Sequence, residues 1–580
     1  MAASGSIWRR ALIVGLVAGA VVIYLTTVGI VLAFAERSFL TDVTSIGRLI
    51  LAIPPLAAGY VIGSRSGSVG ARLAAGLLAG AISGAVLALF LLFASAVDIR
   101  GVLIRVSAPL IAFLAWDQEA ITGAGMNVAL AAGLGLAGAG LRILPRRFRV
   151  PILAAILSVV IMSLLERFLR PRLTELDFSD VARFLYQGGG LTVPAAVLTF
   201  VLVVIGAVAW SPVRASVRRA VEGADPGQRS MLRTVLIVLA IASVLYLPEV
   251  VGSFFSQVLV SVGLYVLLGL GLNIVVGYAG LLDLGYVAFF AVGSYLTALL
   301  TSPLSSLGFG WPFWLALPVV IIGAAVTGLL IGAPVLRLRG DYLAIVTLGF
   351  GEIARLLFLS DALKPWLGGT QGILAIPDLF GVPRIEVPIL GVISGPELTY
   401  YPLVVFCILA IFVAHRLKFS RTGRAWNAMR EDEDVAEATG ISTINYKLLA
   451  FAMGAAVGCL GGAVFATHLE SVFPGTFNII VSITVLSIVI LGGMGSIPGV
   501  VLGSLALIGL PELLREFAEF KLLVYGGVLV LMMILRPEGL LPDRARQLEL
   551  HEADEEEPTE DGQAPTNTPA TATAPPGGGT

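Results

Sequence analysis

The sequence predicts an all-α polytopic membrane protein of about sixteen transmembrane helices, a C-terminal bundle of about ten preceded by about six extra spans. Scarcity of charge is the first observation behind this. Only 13% of the 580 residues are charged and 57% are hydrophobic, with a mean hydropathy of +0.95. A soluble domain carries roughly 25% charged residues. Run length is the second. Uncharged stretches occupy 11–35, 73–97, 191–210, 250–282, 284–336 and 471–511, and about 20 apolar residues cross a bilayer as a helix. The placement of the basic residues is the third. Soluble enzymes, nucleic-acid binders and secreted disulfide scaffolds are excluded.

In chain order, the first part reads as spans 11–35, 47–64, 73–97, 120–141, 150–166 and 191–210. The opening run follows Arg9 and Arg10 and ends in Ala33-Phe34-Ala35, which resembles a processing site. A signal peptide's apolar core is roughly 7–15 residues, so this longer run is expected to stay as a first span. The second part reads as 234–250, 256–276, 282–301, 313–335, 342–359, 399–415, 448–469, 479–494, 497–511 and 521–535. Residues 102–116 are apolar but short, and suit an interfacial or re-entrant segment. Residues 360–398 carry Pro, Gly and several charges, and read as an outer loop. Three regions result: a membrane extension over 1–230, a second membrane bundle over 231–545, and a tail over 546–580. The tail holds eight acids within 549–561 and then turns Pro-, Thr- and Gly-rich; such a composition buries too little apolar surface to order itself.

The basic residues test this layout. Alternate loops carry 24 of the 37 Lys and Arg, among them Arg9, Arg10, four Arg between 142 and 149, and five between 214 and 233. Those loops are assigned to the cytoplasm, which places both termini there, in a plasma (inner) membrane. Arg167, Arg170 and Arg172 fall on the opposite side and make 150–210 the least regular part of the layout.

Chemistry-bearing motifs are few. Gly133-Leu-Gly135-Leu-Ala-Gly138 matches a dinucleotide fingerprint but lies inside a membrane helix, with no preceding strand, so it reads as helix packing. Gly15/Gly19 and Gly76/Gly80/Gly84 have the same small-residue spacing. The chain contains no G-x-x-x-x-G-K-[ST] motif, so any ATP is expected to be hydrolysed by another subunit. His415, His468 and His551 are scattered and no metal site is expected. Cys407 and Cys459 sit in apolar runs and read as small hydrophobes.

Charges inside spans carry more information, because each is costly in lipid. Glu352 and Arg355 are spaced i,i+3 and can pair, most simply as a structural ion pair between helices. Asp341 follows Gly340 and reads as a helix cap. Asp283 lies in the Gly-rich link Gly277-Tyr-Ala-Gly280-Leu-Leu-Asp283-Leu-Gly285. A break of this kind at membrane depth either lines a substrate site or is a simple turn. The segment 416–447 is the most distinctive soluble feature. Basic residues lead to Arg430, then Glu431, Asp432, Glu433 and Asp434 open a short helix that Gly440 can end. A charged helix held between two spans suits docking into a groove on another protein; a solvated loop is the alternative.

Taken together, six ordered stretches closely resemble the branched-chain amino acid ABC transporter permease family, in its LivM-like form. They are GLGLNIVVGYAGLLDLGYVAFFAVGSYL (269–296), LRLRGDYLAIVTLGFGEIAR (336–355), GGTQGI (368–373), REDEDVAEATGISTINYKLLAF (430–451), VILGGMGSIPGVVLG (489–503) and LREFAEFKLLVYGGVLVLMMILRPEGLLP (514–542). The resemblance covers about 230–545. It implies a transport subunit that is not itself an enzyme and binds no cofactor. Its partners would be a second, LivH-like permease, two cytoplasmic ABC ATPases that hydrolyse ATP, an extracytoplasmic substrate-binding protein, and membrane lipid; no nucleic acid is expected. The resemblance also assigns Arg430, Glu431, Asp432, Glu437, Ala438 and Gly440 to the ATPase-coupling loop. Asn273, Gly277, Tyr278, Gly280 and Asp283 match the family's signature segment, expected near the substrate path, and Glu352 joins them as an intramembrane carboxylate.

Two departures stand out. Relatives often carry an acid near the start of the helix leading to the Gly-Gly-Met-Gly turn, whereas 481–485 here reads Val-Ser-Ile-Thr-Val. Urea or short amides are therefore an alternative cargo. Residues 1–230 carry none of the family's motifs and read as a lateral scaffold or regulatory domain. An ion-coupled secondary transporter is the competing class, but it calls for prominent mid-membrane carboxylates, and Glu352 is nearly alone.

Overall fold

The computed structural model describes residues 2–64, 67–175, 177–223, 226–335, 340–381, 384–387, 391–513, 520, 523, 526, 527, 530 and 539–542. The chain forms two compact units, Met1–Leu247 and Pro248–Thr580. Among the described residues twelve helices are long and apolar enough to cross a membrane, with two shorter apolar helices at Val287–Thr301 and Ile497–Glu512. The protein is a multi-pass, all-α membrane protein. Expected span 234–250 lies within the helix Pro226–Val251. Span 521–535, apart from 523, 526, 527 and 530, lies outside the described residues, as do Arg65, Arg337, Arg339, Arg536 and the acidic tail.

In the first unit the helices Ile46–Gly63, Val69–Ala96 and Ala120–Ile143 pack backbone to backbone. A Cβ on Gly135 would stand 2.3 Å from the Gly76 carbonyl oxygen and 2.8 Å from Gly80 Cα, and one on Gly138 would stand 2.1 Å from the Leu56 carbonyl oxygen. The GxGxxG stretch is therefore a packing seam, of the small-residue kind that lets helices approach in lipid. Gly133 differs, with nothing within 4 Å of its would-be Cβ. Gly133→Ala is expected to be neutral or to stabilise by about 0.5 kcal/mol through helix propensity. Gly135→Ala is expected to cost about 1–3 kcal/mol by overpacking. Thermal midpoints of the two purified variants check this.

Several local expectations are corrected. The first span does not run to 35: its helix, Ala2–Val28, stops at Gly29 (φ +91°), on which the Arg105 side chain packs. Residues 102–116 contain only the short helix Ala108–Leu114. Arg167, Arg170 and Arg172 sit in or beside a separate polar helix, Glu166–Glu175. There Arg170 pairs with Glu166 at 3.5 Å and Arg172 with Glu175 at 2.8 Å. These bases belong to a folded cap, where nearby acids offset them. The cap includes four very short strands in the spatial order Thr44–Ser45, Ser38–Leu40, Gly190–Leu191, Tyr186–Gln187.

In the second unit the helices Ser253–Leu272, Val287–Thr301, Phe313–Val335, Pro396–Lys418 and Thr443–Leu469 surround a continuous apolar core. The expected span 282–301 begins only at Val287, and 279–286 is an irregular link. The loop 360–398 is partly structured: Ile373–Leu374 pairs antiparallel with Ser471–Val472, and Arg384–Val387 with Gly391–Ser394. Asp341 is the first helical residue and Gly340 the cap, without a side-chain capping bond.

Candidate functional site: a broken helix and an exposed helix pair

The helix Ser253–Leu272 does not end in a regular turn. It widens into a π-helical turn, Asn273–Tyr278, a form that recurs at functional sites. Gly280 (φ +71°) then reverses the chain. Backbone groups freed at this depth need partners, and the surrounding helices supply them. The Leu284 amide donates to Thr347 Oγ1 (3.1 Å) and the Val287 amide to Ser482 Oγ (3.0 Å). Tyr286 donates its hydroxyl to the Gly454 carbonyl at 2.8 Å. Asp283 is buried, and its Oδ1 accepts the Gly285 amide at 2.8 Å, which folds the link on itself.

The π turn is tied to a second irregular point in the chain. Asn273 Oδ1 accepts the Gly495 amide at 2.8 Å, within the Gly-Gly-Met-Gly turn where Gly493 and Gly495 have positive φ. Gly277 must lack a side chain, since its Cβ would stand 2.1 Å from Asn273 Oδ1. Two bases reach these turns from the helices Pro396–Lys418 and Arg421–Glu431. Arg430 Nη1 donates to the Gly277 carbonyl at 3.1 Å, and Lys418 Nζ to the Gly495 carbonyl at 2.9 Å. The Arg430 stem also fills the place of a side chain at Gly280, where a Cβ would meet its Cγ at 2.6 Å. Tyr278 is buried with the Lys418 ammonium 5.8 Å from its ring centre.

The segment 416–447 is a pair of helices rather than one. Arg421–Glu431 is anchored by the fully buried Trp426, whose Nε1 donates to the Tyr446 carbonyl at 2.8 Å. Asp432 ends it and caps the next, Glu433–Ala438, accepting the amides of Asp434 (2.9 Å) and Val435 (3.0 Å). Gly440 (φ +89°) closes that helix: its amide donates to Glu437 and the Ile441 amide to Ala436, both by carbonyl contacts near 3 Å. Glu433 pairs with the buried Lys447, pinning the short helix to the span Thr443–Leu469. Glu431, Asp432, Glu437, Ala438 and Gly440 are exposed, beside the exposed apolar Val435.

Glu352 and Arg355 form an ion pair along one helix, Asp341–Leu359, so they do not join two helices. Glu352 lines a cavity of about 340 Å³ with Leu284, Val287, Leu348, Gly351 and Ile479. A second cavity, about 150 Å³, lies between Gly280, Leu282, Leu343, Arg430, Glu433 and Lys447. Of the residues singled out from sequence, Asn273, Gly277, Gly280 and Arg430 are brought into contact. Asp283 and Glu352 lie apart from that contact, and Glu352 faces the larger cavity beside the link that carries Asp283. Among the described residues no group of three or more His, Cys, Asp or Glu is arranged to hold a metal ion.

Residues 254–535 match the family described as branched-chain amino acid transport system / permease component. The match covers just under half of the chain, and over this segment the chain is similar to that permease family. It is 42% identical over 278 residues to the high-affinity branched-chain amino acid transport system permease protein LivM of Escherichia coli K12, covering 45% of this chain and 64% of the relative. The probable LivM of Methanocaldococcus jannaschii is 27% identical over 253 residues, 39% of this chain and 68% of the relative. Escherichia coli K12 LivH is 26% identical over 263 residues, 43% of this chain and 82% of the relative. The chain thus spans less than two thirds of the first of these relatives. No solved structure matches it.

Within the permease domain, sequence reasoning passed over Lys418, Gly495, Thr347 and Ser482. Lys418 counted only as one of many bases beside a span. Its role depends on a turn 77 positions away, and no local pattern signals that.

Proposed function

We propose that the chain is the membrane-spanning permease subunit of an ATP-binding-cassette importer for branched-chain or related amino acids. It works with a second, LivH-like permease, two cytoplasmic ABC ATPases that bind and hydrolyse ATP, and an extracytoplasmic binding protein that delivers substrate. It is a transport subunit, not an enzyme, and both termini lie on the cytoplasmic side. The observation that carries this reading is the Arg430–Gly277 hydrogen bond with the close fit of Arg430 on Gly280. It joins an exposed, capped helix pair to the broken helix of the expected substrate path. A push on Glu437 and Ala438 would reach the π turn through one short helix, one guanidinium and one carbonyl. Packed bodies with two discrete arrangements transmit such displacements. Asn273 Nδ2 is buried without a hydrogen-bond partner among the described residues, a group that a second arrangement of the turn can satisfy.

The cavity beside Glu352 favours amino acids over urea or short amides as cargo. The carboxylate of Glu352 can meet an ammonium group, while Leu284, Val287, Leu348 and Ile479 suit an aliphatic side chain. An uncharged amide leaves that charge unused. The experiment is a mild-detergent pull-down of the tagged chain from its native membranes, with partners identified by mass spectrometry. Recovery of two P-loop ATPases and a second permease is the expected result. A chain recovered alone even after crosslinking contradicts the importer reading and favours an ion-coupled carrier.

A further inference from the structure

The first unit holds a polar group in its membrane bundle that the transport reading does not use. Arg48 lies in the first turn of the apolar helix Ile46–Gly63, half-buried. Its guanidinium carbon is 4.0 Å from the centre of the Trp116 ring and 5.4 Å from that of Phe113. Among the described residues no carboxylate or hydrogen-bond acceptor meets that guanidinium. An arginine in a span normally has a named partner or faces a pathway, and stacking leaves all five of its N–H donors available.

Its surroundings are shaped. Trp116 (φ +61°) and Asp117 (φ +56°) are consecutive non-glycine residues in the left-handed region, a strain that persists only where neighbours over-determine it. Here the determinant is visible: Trp116 Nε1 donates to Asn127 Oδ1 at 3.1 Å, and Asn127 Nδ2 to the Leu114 carbonyl at 2.9 Å. The strained turn holds the indole under Arg48. Ser83 opens on the same crevice, 1% exposed, with no hydrogen-bond partner for its hydroxyl among the described residues. The other walls are apolar, with Val22, Leu51, Leu87 and Leu130 among them, and the enclosed room is only about 30 Å³.

We propose that this crevice binds the anionic headgroup of a membrane lipid, with a phosphate oxyanion on Arg48 at its open side and the rest of the lipid outside, against the bundle surface. A guanidinium fork matches a phosphate's oxygens, and a basic residue near the end of a span sits at headgroup depth. The same oxyanion chemistry is also available from free phosphate in solution, so the test separates the two sources.

The full-length chain is placed in phosphatidylcholine nanodiscs containing either dibrominated phosphatidylglycerol or dibrominated phosphatidylcholine at equal mole fraction. Trp116 emission is isolated by subtracting the Trp116→Phe variant. The expected result is stronger quenching of Trp116 by the brominated phosphatidylglycerol, with a preference that falls about fivefold in Arg48→Gln. Equal quenching by the two lipids in the unsubstituted chain overturns the proposal without recourse to any Arg48 variant. An unchanged preference in Arg48→Gln overturns it as well. In discs of phosphatidylcholine alone, a saturable Trp116 response to added inorganic phosphate assigns the anion to solution and overturns the lipid source.

Discussion

Arg430→Ala is expected to lower amino acid uptake by about ten- to a hundredfold at equal membrane abundance. The estimate follows from losing a charge-assisted hydrogen bond of about 1.5–3 kcal/mol, at 1.4 kcal/mol per factor of ten. The guanidinium carries one end of that bond and the Gly277 carbonyl the other. Its removal also empties the space against Gly280 that the Arg430 stem fills. Arg430→Lys restores the charge but not the fork, and its stem reaches less far, so only partial recovery is expected. Uptake into proteoliposomes holding the complete transporter is the measurement, with the thermal midpoint of each variant as the control for folding. Loss of uptake with an unchanged midpoint marks a transmission role.

Gly440→Val acts at the other end of the same connection. The position has φ +89° and nothing within 4 Å of a would-be Cβ, so the cost is backbone strain rather than a clash. A β-branched residue there costs about 1–3 kcal/mol, enough to unwind the helix Glu433–Ala438, which has only six residues. The exposed Glu437 and Ala438 then lose their fixed orientation. About a tenfold drop in ATPase co-purification is expected from 1.4 kcal/mol. Gly440→Asn should stay closer to the unsubstituted protein, because asparagine tolerates left-handed backbone. Co-purification that does not distinguish Val from Asn would separate the docking surface from this helix.

Much of the architecture was legible in local sequence, and the reason is physical. A membrane span is a run of adjacent apolar residues, so spans such as 73–97, 313–335 and 448–469 declare themselves without knowledge of what they touch. The Glu352–Arg355 pair was legible for the same reason, because i,i+3 neighbours share a helix face; that it joins no second helix was not. Asp432 and Gly440 carry cap chemistry on their own residues. By contrast, the π turn at 273–278 has no pattern of its own. Its shape is set by Asn273 meeting a turn 222 positions away and by Arg430 arriving from 153 positions away. The glycines of the first unit announced close packing but not which helix each would meet. The fold of the cap around Glu166 was hidden too, since its order comes from pairing between loops well separated in sequence.

On the proposed function, the exposed helix pair drives the broken helix through Arg430. The most direct test is the number of substrate molecules taken up per ATP hydrolysed, measured together in proteoliposomes for the complete transporter and its Arg430→Ala variant. Hydrolysis is expected to continue while uptake per ATP falls about tenfold or more. An unchanged ratio, with both rates intact or both reduced alike, would contradict it.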